Sequence, residues 1–182
     1  MGITPSTNRM STPIHQIEQL EEWTKRRIGN ILFDSVIDDW KENTSVFDQR
    51  IMNKEHIIII IEDEEGNKFG GYVNSKIDKI ESYINDSKSF LFSLESKGRI
   101  EGMKKFDIQQ PQYAFYLDKQ PNERLFIFGL YGDDIDVYKE NYKTKSSCYQ
   151  RSFSYSGISN TLCGKQWPEH FIPKRIIAIK MK

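Results

Sequence analysis

The sequence predicts an α+β fold: an antiparallel β-sandwich of two sheets flanked by a few short helices, with one further helix at the N-terminus. Three observations carry that prediction. Residues 57–61 are five consecutive isoleucines, and β-branched side chains strain a helix at χ1 while suiting a strand buried on both faces. The acidic, glycine-containing stretch 62–67 then turns the chain back through Phe69-Gly70-Gly71-Tyr72-Val73, which reads as a hairpin. From Ser89 onward, short apolar segments recur between clusters of Gly, Pro, Asn and Asp, the spacing of an antiparallel sandwich or barrel.

Residues 1–12 are rich in Ser, Thr, Asn and Pro without apolar periodicity and predict a disordered lead-in. Thr12 is then placed to cap a helix over 13–29, with Pro13 at its first position and Gly29 ending it in a left-handed conformation. Ile14, Ile17, Leu20 and Trp23 share one face of that helix, and Glu21 with Lys25 and Glu22 with Arg26 form favourable i,i+4 pairs. Such a face can pack on the domain or on a second copy, which would make a dimer. Residues 30–182 form the predicted sandwich domain. Within it, 31–33 reads as a strand, and Asn43-Thr44-Ser45 offers caps to a short helix carrying Val46, Phe47 and Ile51. The hairpin occupies 57–74, a polar region with a loose turn follows, and strands are predicted at 89–94, 103–108, 113–117, 124–128 and 135–138. Residues 174–181 close the fold as a strand entered after Pro173. The paired Gly70 and Gly71 mark a strip where a neighbouring element approaches closely or a bulge forms.

At 182 residues the chain suits one domain that buries about two thirds of its unfolded surface. Lys and Arg number 26 and Asp and Glu number 26, a balance that argues against holding DNA by a large basic surface. The distribution is uneven, because from Lys139 onward nine positive side chains face two negative ones. Cys148 and Cys163 are the two cysteines, a usage that fits the reducing cytosol or nucleus better than a secreted protein. The chain contains no apolar run near the ~20 residues of a transmembrane segment, and its N-terminus lacks the apolar core of a signal peptide. Gly2 and Ser6 formally satisfy a myristoylation pattern, with Pro5 inside it.

Candidate chemistry is sparse. His15, His56 and His170 stand apart from any Cys or carboxylate at metal-ligand spacing. A calcium loop with Gly66 at its sixth position would need a carboxylate where Ile61 stands. Turn-forming aspartates account for Asp34, Asp38 and Asp39 and for Asp133, Asp134 and Asp136. Gly164-Lys165 lacks the following Ser or Thr of a phosphate-binding loop. No nucleophile signature surrounds either cysteine, so the chain is expected to be non-enzymatic and to need no cofactor. Two binding or redox features remain. Lys143, Lys145, Arg151, Lys174 and Arg175 are a candidate basic patch, interleaved with Tyr142, Tyr149, Phe153, Tyr155 and Trp167 as nucleic-acid-binding surfaces are. Cys148 and Cys163 are candidate redox thiols if folding brings them together, with Lys145 and Lys165 near enough in sequence to favour a thiolate.

The order of segments resembles the TLDc domain family. The apolar strand, Asp/Ser stretch and short helix of its opening are similar to ILFDSVIDDWKENTSVFDQRI; its central hairpin is similar to IIIIIEDEEGNKFGGYV; its next strand to the SFLFSL of 89–94; and its terminal part to SSCYQRSFSYSGISNTLCG and FIPKRIIAIKM. The resemblance spans about 31–182. It implies two antiparallel sheets with flanking helices, a link to protection against oxidative stress, and in several members binding to the vacuolar proton-pumping ATPase. It brings no catalytic residues. The expected function is therefore a protein-interaction module of the oxidative-stress response. The alternatives are a nucleic-acid-binding regulator of that response, which the zero net charge disfavours, and a thiol redox sensor.

Overall fold

The computed structural model describes residues 12–182, so all but the last residue of the predicted lead-in over 1–12, and the Gly2 site with it, lie outside the described residues. In chain order the regular elements are α1 (Ile14–Thr24), β1 (Ile28–Asp34), α2 (Phe47–Ile51), β2 (Ile57–Asp63), β3 (Lys68–Val73), β4 (Tyr83–Ile84), β5 (Phe90–Glu95), β6 (Lys104–Asp107), β7 (Phe115–Leu117), β8 (Arg124–Phe128), β9 (Ile135–Tyr138), β10 (Ser147–Cys148) and β11 (Pro173–Met181). A six-stranded sheet runs β1-β11-β2-β3-β5-β6 and a five-stranded sheet runs β10-β9-β8-β7-β4. Every pairing is antiparallel. This is the α+β sandwich that the isoleucine run and the strand spacing predict.

The isoleucine run is β2, third in its sheet between β11 and β3. Because side chains alternate along a strand, Ile57, Ile59 and Ile61 enter the core between the sheets with Phe33, Phe69, Phe115, Phe126 and Phe128. Ile58 and Ile60 point to the opposite face, into a second cluster with Tyr72, Phe90, Phe92, Ile177 and Ile179. That outer face is covered by α1, whose Leu20 is fully buried there and whose Trp23 ring meets Phe90 edge-on at 6.2 Å. An antiparallel strand needs two apolar faces only where something lies over the outer one, and here α1 does. The helix face that a dimer would use is thus occupied by the chain's own sheet, while Ile14 stays 69 % exposed.

The two glycines after Phe69 answer to close approach. A Cβ on Gly70 would lie 1.8 Å from the Ile59 carbonyl oxygen, and one on Gly71 would lie 2.5 Å from the Phe128 ring of the facing sheet. The β2–β3 register is unbroken from Ile57↔Val73 to Glu62↔Lys68, so no bulge sits there. The turn between them is built by Asp63, which accepts from the backbone N–H of Glu65 (3.0 Å) and Asn67 (2.8 Å).

The N-terminal helix is shorter than its sequence pattern predicts. Pro13 rather than Thr12 is its N-cap, no side chain caps it, and it ends at Lys25 in the left-handed conformation, φ 56°. Gly29 lies inside β1 instead, where a Cβ would come within 2.3 Å of the Lys180 carbonyl oxygen on β11. Glu21 turns from its expected partner to Arg27 (3.1 Å) and the Ile28 N–H (2.8 Å), fastening the turn into β1. The two-residue strands β4 and β10 escape sequence reading because two residues carry no periodicity.

Candidate functional site

In β9, Ile135 and Val137 face the core, so Asp136 and Tyr138 face away from it, beside Arg124 of β8. Together with Ser147 they floor a groove of about 540 Å³ on the outer side of the five-stranded sheet. The floor is tied by one guanidinium: Arg124 Nε donates to Asp136 Oδ1 at 2.7 Å, and its Nη2 donates to Asp136 Oδ2 at 3.1 Å and to the Tyr138 hydroxyl at 3.0 Å. The same guanidinium stands 5.0 Å over the Tyr138 ring. Burial pushes the Asp136 carboxyl up and Arg124 opposes that shift. For Arg124 burial acts downward, but its bonds to Asp136 win and hold it above its ordinary value.

One rim is the turn between β8 and β9. Tyr131 adopts φ 53° with its side chain 80 % exposed, and its N–H donates to the Tyr83 hydroxyl at 2.7 Å, which in turn donates to the Gly129 carbonyl at 3.0 Å. Burial pushes the Tyr83 hydroxyl up to about 12, which keeps it a neutral donor. Beside it Gly132, φ 79°, rests on Asp136, where a Cβ would meet Oδ2 at 2.7 Å. The groove is further lined by Tyr149, Arg151, Trp167 and His170, which follow β10 in the chain. Arg151 pairs with Asp133 at 3.0 Å and stands 5.5 Å over the Tyr149 ring. Lys145 closes one end, 2.8 Å from Glu123 and 4.8 Å over the Tyr142 ring. Trp167, 63 % exposed, is positioned by its N–H donating to the Cys148 carbonyl at 2.8 Å.

The Arg151 rim is fixed from beneath by Asp134, which is fully buried. Its carboxylate accepts from the N–H groups of Arg151 (3.2 Å) and Ser152 (2.9 Å) and from the Tyr155 hydroxyl (2.6 Å). Burial pushes this carboxyl up to about 6, with those donors pulling the other way.

The five cations of the predicted basic patch divide between the sheets. Lys145 and Arg151 line the groove, and Lys143 sits in the same 3-10 turn, Glu140–Lys145, without lining it. Lys174 and Arg175 open β11 in the six-stranded sheet, where Lys174 is 3.9 Å from Glu62 and Arg175 makes a two-pronged contact with Asp34 at 3.1 and 2.7 Å. Of the interleaved aromatics, Tyr149 and Trp167 reach the groove, Tyr142 donates to Glu42 at 3.0 Å, and Phe153 and Tyr155 fill the core. Sequence reading missed Arg124, Tyr131 and Tyr138; the alternation Ile135-Asp136-Val137-Tyr138 holds the signal that would have turned Tyr138 outward.

Folding does bring the two cysteines together. Cys148 and Cys163 are both buried free thiols close enough to act on one another's ionisation, and Cys163 Sγ donates to the Lys165 carbonyl at 3.3 Å. Burial pushes Cys148 up, whereas the neighbouring Cys148 brings Cys163 down against its own burial, with the Lys165 backbone and then the Arg99 charge adding to that. Arg99, not Lys145, is the cation that acts on the pair, and Lys165 is taken by Glu65 at 2.6 Å. Among the described residues no group of three His, Cys, Asp or Glu side chains is arranged to hold a metal ion, and no helix is long and apolar enough to cross a membrane.

Comparison with curated protein sequences found no match. The family model of the TLDc domain matches residues 12–166, a span that takes in α1, both sheets up to β10 and the whole Tyr131 to Arg151 side of the groove. Two antiparallel sheets around an isoleucine hairpin, matched over most of the chain, place it: this protein belongs to the TLDc domain family.

Proposed function

We propose that this chain is a non-enzymatic protein-interaction module of the cytosol or nucleus that acts in the oxidative-stress response. The observation that carries the reading is the make-up of the groove: Tyr131, Tyr138, Tyr149, Trp167, Arg124 and Arg151 are six of its twelve lining residues, and Tyr, Trp and Arg supply most of the binding energy at protein interfaces. The family resemblance makes the vacuolar proton-pumping ATPase the first partner to test. Pull-down from native lysate with the full chain should recover a stoichiometric partner, before or after peroxide treatment. Recovery of nothing above background in both states refutes the module. The nucleic-acid reading loses ground because Lys174 and Arg175 stand on the other sheet and are engaged there; a salt-independent binding signal, or none, on single-stranded DNA removes it.

The adjoining thiols favour a second reading, a redox sensor. Peroxide would take two electrons and two protons from the pair, forming one Cys148–Cys163 disulfide and two waters, with Cys163 as the thiol that ionises first. Mass spectrometry of peroxide-treated protein should find that linkage, and a Cys148→Ser, Cys163→Ser variant should lose stress protection. Full protection by the variant disposes of the sensor.

A further inference from the structure

We infer that the groove over β8, β9 and β10 is the docking site for an acidic segment of the protein partner, an inference that rests on the interaction-module reading above. The first ground is charge placement. Each carboxylate of the groove lies beneath the cation that pairs with it: Asp136 is 9 % exposed under Arg124 at 31 %, and Asp133 is 23 % exposed under Arg151 at 52 %. The pairs cancel in sum, yet what an incoming chain meets is the outer layer, Arg124 and Arg151, while Lys145 stands level with its partner Glu123, 51 % and 44 % exposed. Short-range electrostatics are set by the nearest, least screened charges, so the accessible surface favours anions.

The second ground is a pair of exposed aromatic rings carried on a fixed backbone. A left-handed conformation costs a residue with a Cβ about 1–2 kcal/mol, and Tyr131 holds it through the Tyr83 hydroxyl while leaving its own ring in solvent. A backbone already fixed leaves only side-chain entropy to lose when the exposed ring is bound. Trp167 gives the groove a second exposed ring. The matching segment therefore carries carboxylates flanked by an apolar or aromatic side chain.

The third ground is how the segment can and cannot attach. The outer edge of β10 is already taken, since the Ser146 and Cys148 carbonyls accept from Phe171 (3.0 Å) and Trp167 (2.8 Å). Strand addition is closed there, and recognition runs through side chains. Three cations in one groove also suit a few carboxylates better than a nucleic-acid backbone, whose repeating phosphates need a continuous basic track.

The test is selection of a random-peptide library displayed on phage against the immobilised full chain, with fluorescence anisotropy on the enriched peptides and on oligothymidylate. Enriched peptides should be acidic with an apolar or aromatic residue, and Arg151→Glu should weaken them at least about tenfold, as loss of a close charge pair does. Tyr131→Ala should weaken them as well and melt within about 2 °C of the parent, because that side chain is exposed, while Arg151→Glu, which sets a second carboxylate beside Asp133, should remain folded at the assay temperature by circular dichroism. Enrichment of non-acidic peptides, or acidic peptides that bind Arg151→Glu undiminished, overturns the assignment. So does oligothymidylate binding that Arg151→Glu abolishes while peptide binding persists. A lysate partner held equally by parent and Arg151→Glu also overturns it, and leaves the interaction module standing.

Discussion

At the scale of single residues, two positions decide more than their size suggests. Gly71 leaves no room for a side chain between the sheets: a methyl there would meet Phe128 of the facing sheet at 2.5 Å and Leu91 of the neighbouring strand at 2.9 Å. Neither neighbour has room to retreat in a close-packed core. Gly71→Ala should therefore destabilise the fold by about 1–3 kcal/mol, the usual cost of overpacking, read as a lower urea midpoint; an unchanged midpoint would show that the interlayer space is looser than the contacts indicate. Asp134 acts electrostatically. Its carboxyl titrates near 3.8 in the ordinary state and is pushed up to about 6 by burial. A folded value above the unfolded one means that the folded state prefers the proton, so the stability this group contributes is present below pH ~4 and is lost as pH rises through ~6. The loss is at most about 3 kcal/mol, from about 1.4 kcal/mol per unit. Carboxyl-carbon NMR should place the midpoint near 6, and Asp134→Asn should flatten stability between pH ~4 and ~6 relative to the parent; a midpoint at or below the ordinary value defeats both expectations.

At the scale of elements, β2 and α1 explain each other. Five isoleucines with both faces apolar would leave an antiparallel sheet with an exposed oily outer surface, and α1 with Leu20 and Trp23 is what closes it. That β2 is central and doubly buried was legible from the run itself. What covers it was not, because the stripe Ile14, Ile17, Leu20, Trp23 is equally good for a sheet or a second helix. Gly29 shows a related ambiguity: a left-handed helix end and a crowded strand crossing both demand glycine, and the residue alone cannot distinguish them. The mutual burial is measurable. Leu20→Ala should cost about 2–4 kcal/mol, as for a fully buried leucine, whereas Ile14→Ala, at a position 69 % exposed, should stay within about 0.5 kcal/mol. Comparable losses from both would mean that the helix face is buried elsewhere, against another copy.

At the scale of the whole molecule, the two sheets differ in what they do with their outer surfaces. The six-stranded sheet spends its outer face on α1 and becomes structure, while the five-stranded sheet leaves Arg124, Tyr138 and their neighbours in an open groove. The sequence located one wall of that groove through the density of Lys, Arg and aromatics after Lys139. It merged that wall with Lys174 and Arg175 because charge counting follows the chain, whereas β11 crosses to the other sheet. The two halves of the basic tract should accordingly separate under mutation. Arg175 grips Asp34, itself 5 % exposed, and so ties β11 to the end of β1. Removing one partner of a buried pair costs about 3–5 kcal/mol, and less where one member reaches solvent; with the Arg175 side chain 18 % exposed, about 2–3 kcal/mol is expected for Arg175→Met, with partner affinity unchanged at temperatures where it remains folded. Arg151→Ala should do the reverse, lowering affinity while stability holds within about 0.5 kcal/mol. Denaturation midpoints and binding isotherms on the same two proteins decide the matter: crossed effects assign Arg175 to the scaffold and Arg151 to recognition, whereas equal loss of binding in both would join the sheets into one basic surface and return the nucleic-acid reading to the front.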